Sequence, residues 1–112
     1  MRRILTYGGY FERFMETLTR KEQEKIKYGL MLIKTGDMIS KKFVKHEKDD
    51  VYELRTEYNG KKFRVFFIFD EGSRVILFNG FVKKQQKTPE KEIVKALRIK
   101  EAYYADKQSF NF

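Results

Sequence analysis

Two arginines and a lysine-rich run are the residues of this 112-residue chain best suited to chemistry. If Asn59-Gly60 is a two-residue hairpin turn, Tyr58 pairs with Lys61, and counting back sets Arg55 opposite Arg64. Side chains alternate along a strand, so Glu53, Arg55 and Glu57 share a polar face with Arg64 and Phe66. Tyr52, Leu54, Val65, Phe67 and Phe69 share the other face, which reads as core. A third strand joined through the Asp70–Ser73 turn, in its two- or four-residue form, places Asn79 beside Arg64. It also sends Phe81 and Lys83 to the same polar face. A three-residue loop or a bulge would break that register.

Like charges directly opposed on a sheet are destabilising, so the Arg55/Arg64 pair needs neutralising neighbours or an anionic ligand. Glu53 and Glu57 flank Arg55 and can form a structural ion-pair ladder. The alternative is a phosphate clamp, because guanidinium forks match phosphate oxygens. Lys83-Lys84-Gln85-Gln86-Lys87 follows directly, just before an expected helix N-terminus, where free N–H groups and the helix dipole favour an anion. A short lysine cluster alone is a solvated loop. Its place beside the arginine pair makes it one wall of a phosphate site.

These residues need a scaffold, and its elements are legible as hydrophobic periods. Met1 to Tyr7 is consistent with one strand before the Gly8-Gly9 punctuation. Phe11, Phe14, Met15 and Leu18 form one helical stripe. Thr19 with Glu22 fits a capping box opening a second helix that buries Ile26, Leu30 and Ile33 and stops at Gly36. Lys41 to Asp50 reads as a charged connector, with His46 an exposed residue between Lys45 and Glu47. From Val51 the period becomes two, predicting a three-stranded antiparallel meander. Thr88 as N-cap, Pro89 at the first position and Glu90 and Glu92 in the first turn open a C-terminal helix, apolar at Ile93, Val94, Leu97 and Tyr104. The tail after Ala105 has no pattern. The expected class is α+β, with a strand, a helical hairpin, the meander and a helix in one domain spanning residues 1–112.

Composition narrows the chemistry. Hydrophobic residues at 41% and aromatics at 16% suffice for a core despite 37% charged residues. With no cysteine, thiolate nucleophiles and Cys-ligated zinc drop out, and a single histidine makes a His-based metal site or a Ser-His triad hard to assemble. No metal or cofactor is expected. A net charge of +9 attracts polyanions, nucleic acid above all. Nothing resembles a signal peptide or a membrane span, so a soluble cytoplasmic protein is expected.

Tyr52-Glu53-Leu54-Arg55, Phe63-Arg64-Val65-Phe66 and Gly80-Phe81-Val82-Lys83-Lys84-Gln85-Gln86-Lys87-Thr88-Pro89, in this order and followed by a helix, resemble the phage-derived HigB-like branch of the RelE/ParE toxin superfamily. The resemblance covers Val51 to Tyr104 and, by element order, the N-terminal half. It implies a RelE-like fold, a cognate antitoxin of helix-turn-helix type, and metal-independent cleavage of messenger RNA on the ribosome. In that mechanism the RNA 2′-OH attacks the adjacent phosphorus. The implied roles are transition-state charge for Arg64 and Arg55, phosphate binding or proton transfer for Lys84 and Lys87, and a base in Glu53. Lys83, Gln86 and Asn79 would contact RNA. Many superfamily nucleases carry His or Tyr near the last strand, but this junction has neither, and Tyr103 and Tyr104 lie a helix later. Two other readings share the fold, a ParE-like gyrase poison and a non-catalytic RNA-binding module.

Overall fold

The computed structural model describes residues 1–36 and 40–110. Its elements in chain order are β1 (Arg3–Thr6), α1 (Tyr10–Glu16), α2 (Arg20–Thr35), β2 (Val44–Lys48), β3 (Val51–Tyr58), β4 (Lys61–Asp70), β5 (Arg74–Lys83) and α3 (Glu90–Phe110). The strands form one five-stranded mixed sheet, ordered β1-β5-β4-β3-β2, with β1 parallel to β5. The expected meander is therefore only the centre of a larger sheet. β1 adds to one side through a parallel pairing distant in sequence. On the other side, the charged connector contains β2. Its sequence, Val-Lys-His-Glu-Lys, has polar residues on both faces, as an edge strand can, so no alternation betrays it.

The β3–β4 hairpin has the expected register, with Tyr58 opposite Lys61 and Arg55 opposite Arg64. Asn59 and Gly60 take positive φ values of 53° and 81°, as a type I′ turn requires of both central residues. The β4–β5 register departs from expectation twice. Asp70 pairs with Arg74 across a three-residue loop, and a second slip falls between Val65 and Phe67. One slip turns a strand's side chains to the opposite face, and two restore them. Phe81 and Lys83 thus do share the face of Arg64, but the residue directly opposite Arg64 is Phe81, not Asn79.

Both faces of the sheet are covered. Phe14, Met15, Ile26 and Ile33 from α1 and α2 pack on Leu54, Val65, Phe67 and Leu77. On the opposite face Ile93, Ala96 and Ile99 of α3 pack on Phe66, Ile68, Ile76 and Phe78. The face expected to be polar is thus core beneath α3 and polar only at the end α3 leaves open. Central strand β4 is buried on both sides, and Phe63, Val65, Phe66, Phe67 and Ile68 are each at most 1% exposed. Such a strand reads as a near-continuous apolar run. Arg64 interrupts it.

The helices start and stop for local reasons. Thr19 and Glu22 make the reciprocal capping box at 3.2 and 2.8 Å, a device that contributes about 1 kcal/mol. Gly36 ends α2, its N–H donating to Leu32 O at 2.9 Å, and the Arg2 guanidinium donates to the carbonyls of Ile33 and Gly36. Pro89, rather than Thr88, sits immediately before α3, and its carbonyl accepts from Ile93 N–H. The helix continues past Ala105 to Phe110, and Asn111 and Phe112 lie outside the described residues. Asp70 clasps its far end, accepting hydrogen bonds from Tyr103 Oη at 2.5 Å and Lys107 Nζ at 2.8 Å. Burial pushes the Asp70 carboxyl up, but these two hydrogen bonds and the charges of Lys107 and Arg74 outweigh it, leaving it below its usual range. Among the described residues, no helix is long and apolar enough to cross a membrane.

Gly80 lets α1 approach β5. A Cβ there would lie 2.8 Å from Phe14 Cγ, deep in the packed ring rather than at a flexible tip. Gly80→Ala should destabilise the fold by roughly 1–3 kcal/mol, as overpacking does. Urea denaturation measures this, and an unchanged midpoint would show that α1 does not pack as described.

Candidate nucleic-acid site

Where α3 stops covering the sheet, three strands bring charged side chains together. Glu53 and Arg55 of β3 lie beside Arg64 of β4, and Lys83 of β5 pairs with Lys62 one step further toward the open end. Glu53 is fully buried and Arg64 is 4% exposed. A carboxylate in that position compensates a guanidinium that would otherwise sit uncompensated in the central strand. Arg64 Nε lies 3.6 Å and Arg55 Nε 4.0 Å from Glu53 Oε1. These are ion-pair distances, too long for hydrogen bonds. Arg64 Nη1 donates to Phe63 O at 2.9 Å, while both arginine Nε groups and Glu53 Oε1 make no hydrogen bond to protein.

The other carboxylate oxygen of Glu53 is occupied. Thr88 Oγ1 donates to Glu53 Oε2 at 2.8 Å. The hydroxyl expected to cap α3 instead ties the start of that helix to the buried acid. This contact also sets the path of the junction, with Lys84, Gln85, Gln86 and Lys87 exposed between Lys83 and the anchored Thr88. The cations perturb one another. Burial lowers the Arg64 guanidinium below its ordinary value, with Glu53 opposing and Arg55 adding to the effect. Burial also lowers the Lys83 ammonium, and Arg64, Arg55 and Lys45 push it further against the pull of Glu53.

The structure therefore brings Arg55, Arg64, Glu53 and Lys83 into one cluster, with Lys84, Gln86 and Lys87 in the exposed loop beside it. Asn79 does not join them. It lies buried near the start of α3, with Nδ2 donating to Glu92 O at 3.3 Å and to Glu92 Oε1 at 3.2 Å. Glu53 is enclosed, so the role expected of it as a base reaching RNA gives way to that of a counter-ion. His46 stands away from the cluster, with its ring 5.0 Å from that of Tyr52. Two contributors carry no signal in the sequence. Lys45 is paired with Glu53 from the polar edge strand β2, and Thr88 has the ordinary signature of a helix cap although its hydroxyl bonds Glu53. Arg55 and Arg64 also line an open cavity of about 380 Å³ reaching toward α2.

The family model described as Phage derived protein Gp49-like (DUF891) matches residues 13–101, from α1 through most of α3. The chain belongs to this family. The Gp49-like family is phage-derived and toxin-like, of RelE/HigB type. The match spans every strand of the cluster and the junction. No curated protein matches the sequence. Membership of the Gp49-like family agrees with the α+β order of elements and is compatible with a toxin of a toxin–antitoxin system.

Glu53→Gln leaves Arg64 buried without its counter-charge and should cost about 3 kcal/mol in stability. Replacing both, Glu53→Leu with Arg64→Leu, removes the uncompensated charge and should recover much of that loss. Chemical denaturation of both variants checks this, and a Glu53→Gln protein as stable as the parent would show that the pair does not hold the strands.

Proposed function

We propose that this Gp49-like chain is the toxin of a toxin–antitoxin pair, of the HigB kind, and cuts messenger RNA on the ribosome. The observation that carries this reading is the mutual placement of the partly exposed Arg55 over the buried Arg64, beside the perturbed Lys83 and the exposed Lys84–Lys87 loop. A phosphate drawn to this corner meets the Arg55 guanidinium and several lysine ammonium groups, with Glu53 enclosed beneath them and its oxygens turned to the arginines and Thr88.

The chemistry suited to such a corner is intramolecular transesterification. The 2′-oxygen bonds to phosphorus as the bond from phosphorus to the 5′-oxygen breaks, giving a 2′,3′-cyclic phosphate and a new 5′-hydroxyl. One proton leaves the 2′-OH and one must reach the departing 5′-oxygen. Arg55 would stabilise the charge on the equatorial oxygens, with Arg64 reinforcing the field from beneath. Lys83, its ammonium already lowered, is suited to proton transfer, and Lys84 and Lys87 to holding the flanking phosphates. Gln86 would position the strand. Glu53 sets the two arginines and, through Thr88, the loop. We further propose a helix-turn-helix antitoxin as partner, for which the neighbouring gene is the first place to look.

Expression of the parent chain should arrest growth. Arg55→Ala and Lys84→Ala should each relieve the arrest and lower cleavage of message by about 10²–10³-fold, the scale for losing one preorganised donor. Circular dichroism should show both variants folded. Full toxicity in both variants would remove this corner as the site.

A further inference from the structure

The cavity lined by Arg55 and Arg64 continues along a surface that the proposed chemistry does not use. β2 pairs with β3 only as far as Leu54, and Arg55 N–H adds one bond to Phe43 O at 2.7 Å. β3 continues to Tyr58. α2 lies close over this exposed stretch because Gly29 has no side chain. A Cβ there would already be 3.0 Å from Thr56 Cγ2 and 3.1 Å from Leu54 Cδ1. Between helix and strand runs an open groove. Phe43 and Lys42 stand at one end beside the arginines, Lys25 and Tyr28 line its middle, and Lys21 and Tyr58 continue it through an adjoining cavity.

Two properties of this groove point to one class of ligand. Lys21, Lys25 and Tyr28 recur at i, i+4 and i+7, so α2 presents them as a row on one side. Together with Lys42, Arg55 and Arg64 they make a cationic track. The carboxylates along it are Glu57 and Glu24, and Glu24 is already paired with Arg20 at 3.6 Å. Aromatic rings punctuate the same track, and Tyr28 is 54% exposed although its ring is large and apolar. Cations grouped around an exposed ring, with the half-buried rings of Phe43 and Tyr58 beyond it, fit a polyanion that carries flat faces. Single-stranded nucleic acid has that form, its phosphates following the charge while its bases stack. An acidic polypeptide would use the cations but leave the rings idle.

We infer that the groove between α2 and the exposed edge of β3 is a binding track for single-stranded RNA, with Tyr28 as a stacking platform and Lys25 and Lys42 as phosphate contacts. It rests on the reading of the chain as an RNA-cutting toxin and gives the substrate a path leading away from the arginine pair. The track adds binding and orientation, not chemistry.

The test is fluorescence anisotropy of the full chain with a short, unstructured, 2′-O-methylated RNA, which can bind but cannot be cut. Tyr28→Ala should weaken binding about tenfold, within the range of roughly 1–3 kcal/mol per stacked base, and Tyr28→Trp should restore it. Lys25→Ala should lower the slope of log affinity against log salt by about 0.7, as loss of one single-strand phosphate contact does. Lys27→Ala, on the opposite flank of α2, should change neither. The inference is overturned if Tyr28→Ala and Lys25→Ala bind as the parent does, or if Lys27→Ala weakens binding equally. Binding of an acidic peptide that depends on Lys25, with RNA binding indifferent to Tyr28, would also overturn it. Because the probe cannot be cut, absence of message cleavage in cells would count against the nuclease reading and leave this measurement to stand or fall alone.

Discussion

The ion pair between Glu53 and Arg64 is the constraint around which the functional end of this protein is organised. A guanidinium in the central strand of a sheet covered on both faces is costly to bury, and the adjacent carboxylate makes it tolerable. The arrangement has directional consequences. Glu53 draws Arg55 as well as Arg64, so two arginines that would repel across the hairpin are held together. Its second oxygen takes the hydroxyl of Thr88, which fixes where α3 begins and how the lysine loop must travel. One enclosed acid thus connects three elements separated in sequence and leaves cationic groups on the accessible side.

The fold makes this end available by covering the rest. α1 and α2 bury one face of the sheet, and α3 buries the other from Phe81 to Ile68, with Asp70 fastening the distal part of the helix. What remains open is the end carrying Arg55, Lys62 and Lys83, and the edge of β3 beyond β2. Both are rigid because they belong to strands, and a site that must hold a phosphate in one geometry gains from that rigidity. The exposed residues of the loop are free to adapt, while the arginines are not. In the proposed function, the lysines would capture a polyanion and the buried pair would set the field it meets.

Much of this was legible in the sequence, for local reasons. The Asn59-Gly60 turn has one dominant geometry, so the register that opposes Arg55 to Arg64 follows by counting. The capping box at Thr19 and the helical stripes are equally local. The unreadable parts involve distance or compensation. β1 finds β5 through a parallel pairing that leaves no mark on either segment. β2 is a polar edge strand with no alternating pattern to see. The three-residue turn and the bulge in β4–β5 each slip the register, and together they return Lys83 to the expected face while carrying Asn79 away from Arg64. Thr88 has the ordinary signature of a helix cap, and only the folded chain reveals that its hydroxyl is used by Glu53. The burial of Glu53 is likewise invisible in an alternating strand, because the alternation assigns it to a face without indicating that the face is half covered.

Membership of a phage-derived, toxin-like family and a rigid cationic corner with enclosed counter-charge support the same account, in which the chain arrests growth by cutting messages. The central claim is the cutting itself. Mapping RNA ends shortly after expression begins tests it most directly. The account predicts new ends within coding regions at preferred positions in the codon, with 2′,3′-cyclic phosphates on the upstream fragments and 5′-hydroxyls downstream. Intact messages in cells whose growth has stopped would contradict it.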